Sequence, residues 1–281
     1  MPTDIELIDK VKQMGEAPLT PTSHLYSEYG PISILEASKS NTSNYTSLGM
    51  SKPAVKLLEV ILSANRNYNK VVKPNIERIL KETDLTTFDQ LTYLQHNKSK
   101  EEFYQYWGHK DEKKYTVLSD ILACIPELRK RYTDTINDFE LMKKWAKDVE
   151  LETYKSDIIG QIKYIAIATL QHLRMSFGCD TVKPDQRVKE VMQRQLGFPK
   201  MSDLKVIKEI EHLAQITGLS ALILDQIFVN YGSGYYNISE KGLSVLEIAR
   251  RLKRLSVSDE IVVAATELPL NVVKNLSSSL E

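Results

Sequence analysis

Cysteine is almost missing from this chain: Cys124 and Cys179 are the only two in 281 residues. Two thiols by themselves cannot hold a tetrahedral zinc ion or an iron–sulfur cluster. They read as reduced thiols of a cytoplasmic protein rather than as a disulfide framework. Long hydrophobic runs are missing too. No stretch approaches the roughly 18 apolar residues that cross a bilayer, so no membrane partner is expected. The opening MPTDIELIDKVKQMGE is charged throughout and lacks the apolar core of a secretory signal. Net charge is absent as well, with 37 Lys plus Arg set against 37 Asp plus Glu. Any nucleic-acid binding must therefore come from a local basic face and not from a global field. Strand-like alternation is confined to short pieces such as EIVVAA, which fits a helix equally well.

What is present is helical periodicity. Val55, Leu58, Ile61 and Leu62 recur at helical spacing in KPAVKLLEVILSANRNYNKVVKPNIERILKE. Capping-box spacings mark helix starts at Thr86 with Asp89, Ser99 with Glu102, Ser244 with Glu247 and Ser256 with Asp259. Gly108, Gly160, Gly178, Gly197, Gly218 and Gly232 fall between helical patterns. The fold class expected is all-α, about a dozen helices joined by short loops. Residues 36–53, EASKSNTSNYTSLGMSKP, are rich in Ser, Thr and Asn and read as a loop or linker. The tail LSSSLE is expected to fray.

Five segments carry a more specific pattern. In SDIIGQIKYIAIATLQHLRMSFG, Gly160 would let the chain turn sharply and leave free N–H groups at the start of the next helix. Such groups attract phosphate without reading sequence. A tight helix–helix connection has the same look. In FGCDTVKPDQRV, Asp185 lies seven residues after Gly178, flanked by Lys183 and Arg187. It fits an N-cap. Upstream stand LLEVILSANRNYNKVV and YWGHKDEKKYTVLSDILACI; downstream stands LDQIFVNYGSGYY. In this order, over residues 50–236, the segments resemble the helix-hairpin-helix DNA glycosylase superfamily, specifically its endonuclease-III-like branch. No cysteine follows Gly232, so the resemblance is to a cluster-free variant, with no metal or other cofactor expected.

The resemblance implies a two-lobed helical fold with a helix-hairpin-helix. Residues 1–70 and 183–281 would build the terminal lobe, and residues 71–182 a six-helix, barrel-like lobe that includes the hairpin. DNA would lie across the cleft between them. The implied activity is that of a monofunctional N-glycosylase acting on double-stranded DNA with a damaged or mismatched base, as a monomer. Asp185 would stabilise the cationic sugar as the flipped base leaves. Lys183, Arg187 and the following helix start would favour its ionised form. Gly160, Gln161, Ile162, Lys163, Lys183, Arg187 and Arg66 would contact DNA, with Asn65 at the place of the residue that fills the gap left by the flipped base. Asn65 also suits a helix C-cap. Residues 160–200 carry a local excess of Lys and Arg, which equally describes a solvated helix face.

Two departures of the hairpin from the family pattern matter. Ile162 replaces the hairpin's second glycine. The lysine used for strand cleavage aligns with Tyr164 or Ile167, depending on the direction of counting, so no efficient lyase step is expected. Lys163 is the one outside candidate for such a nucleophile. Trp107 and Tyr164 are candidates for a base pocket, although the aromatic cluster Tyr104, Tyr106, Trp107 and His109 also fits a core. Near the C-terminus, Pro269 gives a helix-turn-helix look to what reads better as two packing helices. Two alternatives stay open: a non-catalytic helix-hairpin-helix DNA-binding protein, and a helical protein-interaction module, which the zero net charge permits.

Overall fold

The computed structural model describes residues 2–19, 26–30, 32–232, 245–255 and 257–276. The expected caps at Ser244 and Ser256, residues 233–236 of the last motif and the tail from residue 277 lie outside the described residues. Among the described residues the fold is all-helical. No strand forms, and one isolated bridge pairs Pro18 with Ser33. No single described helix is long and apolar enough to cross a membrane.

Local capping sets the helix starts. Ser99 and Glu102 form the expected reciprocal box, and Thr3 with Glu6 forms another. The box expected at Thr86 and Asp89 is shifted by one residue, to Thr87 and Gln90. Gln90 is long enough to reach back to the Thr86 and Thr87 N–H groups, at 2.8 and 2.9 Å. Asp89 instead pairs with Arg129 at 2.8 Å. The expected linker over residues 36–53 is also helical, in Ile34–Ser43 and Ser47–Ser51. Its polar composition hid this. Ser33 caps the first of these helices through Glu36, and Ala37 and Ser38 are buried.

The chain divides into two compact units. One comprises Asn41–Asp185 and Met201–Leu222. At its centre runs the helix Pro53–Ser63, with every residue buried. A helix apolar nearly all round must be surrounded. It packs against Lys73–Glu82, Phe88–Asn97, Glu112–Arg131 and Ile167–Ser176. A boundary at residue 70 would have placed this helix with the terminal part, whereas it is the core of this unit. Full burial of each of its Leu, Ile and Val side chains is worth roughly 1.5–3 kcal/mol.

The other unit comprises Met1–Ser40, Gln186–Lys200 and Ile223–Glu281. The helix Asp4–Glu16 packs on the π-helical turn Met192–Leu196, where Lys10 donates to the Leu196 carbonyl at 3.4 Å. A separate small core of Ala249, Val262, Leu268 and Val273 joins three helices, Val245–Arg254, Asp259–Thr266 and Leu270–Asn275. The C-terminal segment is thus three packed helices rather than two.

Candidate functional site

The connection between the helices Asp138–Asp148 and Ile167–Ser176 is built on one carboxylate. The Trp145 indole donates to both Asp157 oxygens, at 3.2 and 3.1 Å. The Ile159 and Gly160 N–H groups donate to Asp157 Oδ1 at 2.9 and 2.8 Å. Lys155 then closes the turn by donating to the Gly160 and Ile165 carbonyls at 3.1 and 2.7 Å. The first limb is therefore the 3-10 turn Tyr154–Ser156 and a run of further turns, not a regular helix.

Gly160 is required for close approach rather than for reversal. A Cβ there would fall 1.9 Å from the Tyr154 carbonyl oxygen. Its N–H is consumed by Asp157, so it is not the phosphate donor expected from sequence. Ile162 is buried and contributes to the core. The reversal comes later, at Tyr164, where φ is 72°. Among the described residues, the N–H groups of Lys163, Tyr164, Ala166, Ile167 and Ala168 have no acceptor, and Ala166 provides no side-chain cap.

A second segment closes on the same place. The central helix ends at Ser63, and Asn65 adopts the left-handed conformation, with φ 54°. Arg66 donates to the Asn65 carbonyl at 2.9 Å, to His109 Nε2 at 3.3 Å and to Asp111 at 3.4 Å. Asp111 caps the helix Glu112–Arg131 by accepting from the Lys113 and Lys114 N–H groups. Burial and the nearby Lys114 and Arg66 charges hold His109 below its ordinary pKa, which fits a neutral ring accepting from Arg66. The buried Lys114 ammonium donates to the Leu62 carbonyl at 2.5 Å, at the negative end of the central helix. Burial, then the charge of Arg66, pushes the Lys114 pKa down to about 8.

These groups line a pocket of about 370 Å³ whose walls are Asn65, Arg66, Asp111, Lys113, Lys114, Tyr164 and Thr169, over Ile61, Ala64 and Val117. The expected Asn65, Arg66 and Tyr164 are thus brought together. Lys163 lies beside them, exposed, with its ammonium 5.1 Å from the centre of the Tyr164 ring. Trp107 is not part of this pocket. It is fully buried in the core, edge-on to Phe103, and its indole N–H has no hydrogen-bond partner.

Asp185 sits elsewhere in this unit. Phe177 enters the core and Gly178, with φ 88°, ends its helix. Gln171 pins the following loop by donating to Thr181 Oγ1 at 2.6 Å and the Val182 carbonyl at 3.1 Å. Arg174, counted among the basic residues of this stretch, is buried and donates to Gln171 and the Ala146 carbonyl. Beyond this anchor the Asp185 N–H donates to the Lys183 carbonyl at 2.7 Å. Asp185 is half-buried and immediately precedes the helix Gln186–Val191, as a cap would. It is not among the residues that line the pocket. Arg187 belongs to the other unit.

Sequence reasoning missed a polar cluster along the central helix. Lys56 and Glu59 form a buried ion pair at 2.7 Å, and Tyr68 donates to Glu59 at 2.6 Å. Burial and the Glu59 charge push the Tyr68 hydroxyl pKa up. The Ser63 hydroxyl donates to the Val60 carbonyl at 2.8 Å, so the 3.1 Å contact with His172 Nδ1 is one that Ser63 accepts. His172 is then the Nδ1–H tautomer. Burial, followed by the Lys183 and Lys56 charges, holds it well below its ordinary pKa and therefore neutral. The signal was legible: a Lys and a Glu three residues apart inside the apolar run AVKLLEVILS. Among the described residues no group of three or more His, Cys, Asp or Glu side chains is placed to hold a metal ion.

No protein-family model, curated protein or solved structure matches this chain.

Proposed function

We propose that the protein is a DNA base-excision repair N-glycosylase of the helix-hairpin-helix kind, monofunctional, acting through Asp185. The observation that carries the reading is the convergence of two separate segments, Asn65 with Arg66 and the turn at Lys163 and Tyr164, on one cationic pocket. Both segments carry the family resemblance. The turn's unpaired N–H groups and the Arg66, Lys113 and Lys163 charges suit a sugar–phosphate backbone.

In the proposed reaction the bond between C1′ and the base nitrogen breaks, and the electron pair leaves with the base. The Asp185 carboxylate stabilises the oxocarbenium-like sugar. Water then adds at C1′, its proton balancing the departing base. Lys163 supports the absence of a lyase step. Its ammonium is solvated, whereas an imine-forming amine is desolvated and aimed.

Duplexes carrying oxidised, deaminated, alkylated or mismatched bases, incubated with the protein and then treated with alkali, test the proposal. Cleavage is expected for at least one lesion, and Asp185→Asn should lower the rate by about 100-fold or more. Full activity of that variant, or no cleavage on any lesion, refutes it. Because Asp185 does not line the pocket, binding without catalysis is the second reading. It requires salt-sensitive duplex binding that survives Asp185→Asn, with no abasic product.

A further inference from the structure

We propose that the Tyr164 ring is a stacking platform for an unpaired nucleobase, with the Lys113 and Lys163 ammonium groups meeting the phosphates on either side of that base. This rests on the nucleic-acid reading above and names the structural feature of the substrate that the site selects.

Tyr164 is out of place for a structural tyrosine. Its side chain does not contribute to the core, and the residue is 48% exposed. Its backbone has φ 72°, a conformation that costs a bulky residue roughly 1–2 kcal/mol and that glycine adopts freely. The contacts that a glycine would lose are cation–π contacts with the Lys113 and Lys163 ammonium groups, weak at a solvent-exposed ring and set against the backbone strain. Asn65, the only other non-glycine residue with positive φ among those described in this unit, lines the same pocket.

The charges around the ring point to the occupant. Lys113 Nζ lies 5.4 Å and Lys163 Nζ 5.1 Å from the ring centre. Neither lysine has a carboxylate partner among the described residues. Arg66 adds a third cation, and the one acid in the pocket wall, Asp111, is engaged by Arg66 and two backbone N–H groups. A flat ring with two ammonium groups over it, neither paired with a carboxylate among the described residues, is complementary to a base that takes the ring face while its two phosphates draw the ammonium groups aside. A paired base cannot reach such a ring, because its faces are covered by its neighbours in the stack. The preference is therefore for bulged, mispaired or otherwise unstacked nucleotides.

The test compares affinity for a fully paired duplex with affinity for the same duplex carrying a single bulged 2-aminopurine, at low salt. One base stacked on an aromatic ring corresponds to roughly a five- to hundredfold gain in affinity. Wild-type protein should favour the bulged duplex by such a factor and quench the 2-aminopurine fluorescence. Tyr164→Phe should keep both effects. Tyr164→Ala should bring the two affinities within about twofold and abolish the quenching. Tyr164→Gly should do the same while melting at or above the wild-type temperature, because glycine relieves the backbone strain. Lys113→Gln with Lys163→Gln should weaken binding to both duplexes and flatten its salt dependence. If wild-type protein binds the bulged duplex and Tyr164→Ala and Tyr164→Gly keep the full preference and quenching, the stacking role is wrong and the nucleic-acid reading stands. If wild-type protein binds neither duplex, both fail.

Discussion

Replacing Lys114 by methionine should change how stability depends on pH, and the size of the effect follows from the pocket wall. The Lys114 pKa is held at about 8 against an ordinary 10.5. Below about pH 8 both the folded and the unfolded chain keep the proton, so wild-type and variant protein differ by a constant amount. Between pH 8 and 10.5 the folded protein has released the proton and the unfolded chain has not. The unfolded state then binds more protons, and wild-type stability rises with pH relative to the variant. At about 1.4 kcal/mol per pKa unit, a depression of that size would give at most roughly 3.4 kcal/mol across the window. The pocket opens to water, which screens the site, so about 1–3 kcal/mol is the reasoned range. Urea unfolding of both proteins between pH 7 and 10 measures the difference. A flat or falling difference would refute the account of a buried amine held against its charge by burial and Arg66. Methionine also leaves the Leu62 carbonyl without its donor, but that cost does not depend on pH and drops out of the slope.

Two further predictions test the frame around the site. Gly160→Ala places a Cβ 1.9 Å from the Tyr154 carbonyl, so it should destabilise the protein by about 2–4 kcal/mol in urea unfolding and increase hydrogen exchange at the Ile159 and Gly160 amides; a neutral effect would mean that the turn is not packed as described. His172 is depressed below its ordinary pKa, so its neutral form contributes stability that is present above about pH 6.5 and is lost as pH falls below it; His172→Gln should flatten the acid side of the stability curve, and an unchanged curve would count against the neutral tautomer.

Much of the architecture was legible because it is periodic. The central helix announces itself through Val55, Leu58, Ile61 and Leu62, and Ser99 with Glu102 marks a helix start by local chemistry alone. Features that depend on distant partners were not legible. Residues 36–53 look like a linker because their composition is polar, yet helices there are held by the Ser33 cap and the burial of Ala37 and Ser38. Gly160 announced a turn but not its position. The reversal falls at Tyr164, where no propensity would place it, because Asp157 and Lys155 fix the preceding residues. Trp107 and Tyr164 looked equivalent as aromatic candidates, and only packing separates a fully buried ring from a half-exposed one.

The stretch LSAN is where the two halves of the candidate site meet, and helix physics explains why. The end of the Pro53–Ser63 helix leaves carbonyls unsatisfied and carries the negative end of the dipole. Ser63 takes the Val60 carbonyl with its own hydroxyl and so becomes an acceptor for His172. Lys114 takes the Leu62 carbonyl, and Arg66 takes that of Asn65. Asn65 itself tolerates the left-handed turn that ends the helix. Lys114 and Arg66 are thus first of all answers to the carbonyls at the end of a buried helix. That gives Lys114 a sufficient structural reason to be there, which argues against reading its lowered pKa alone as a sign of catalysis. Lys113 and Lys163 have no such reason, since no carbonyl or carboxylate among the described residues holds them and the Tyr164 ring lies close to both. Lys113 in the pocket wall and Lys163 beside it are therefore the two charges that the proposed ligand would use, and their removal should leave the fold unchanged while weakening the proposed binding.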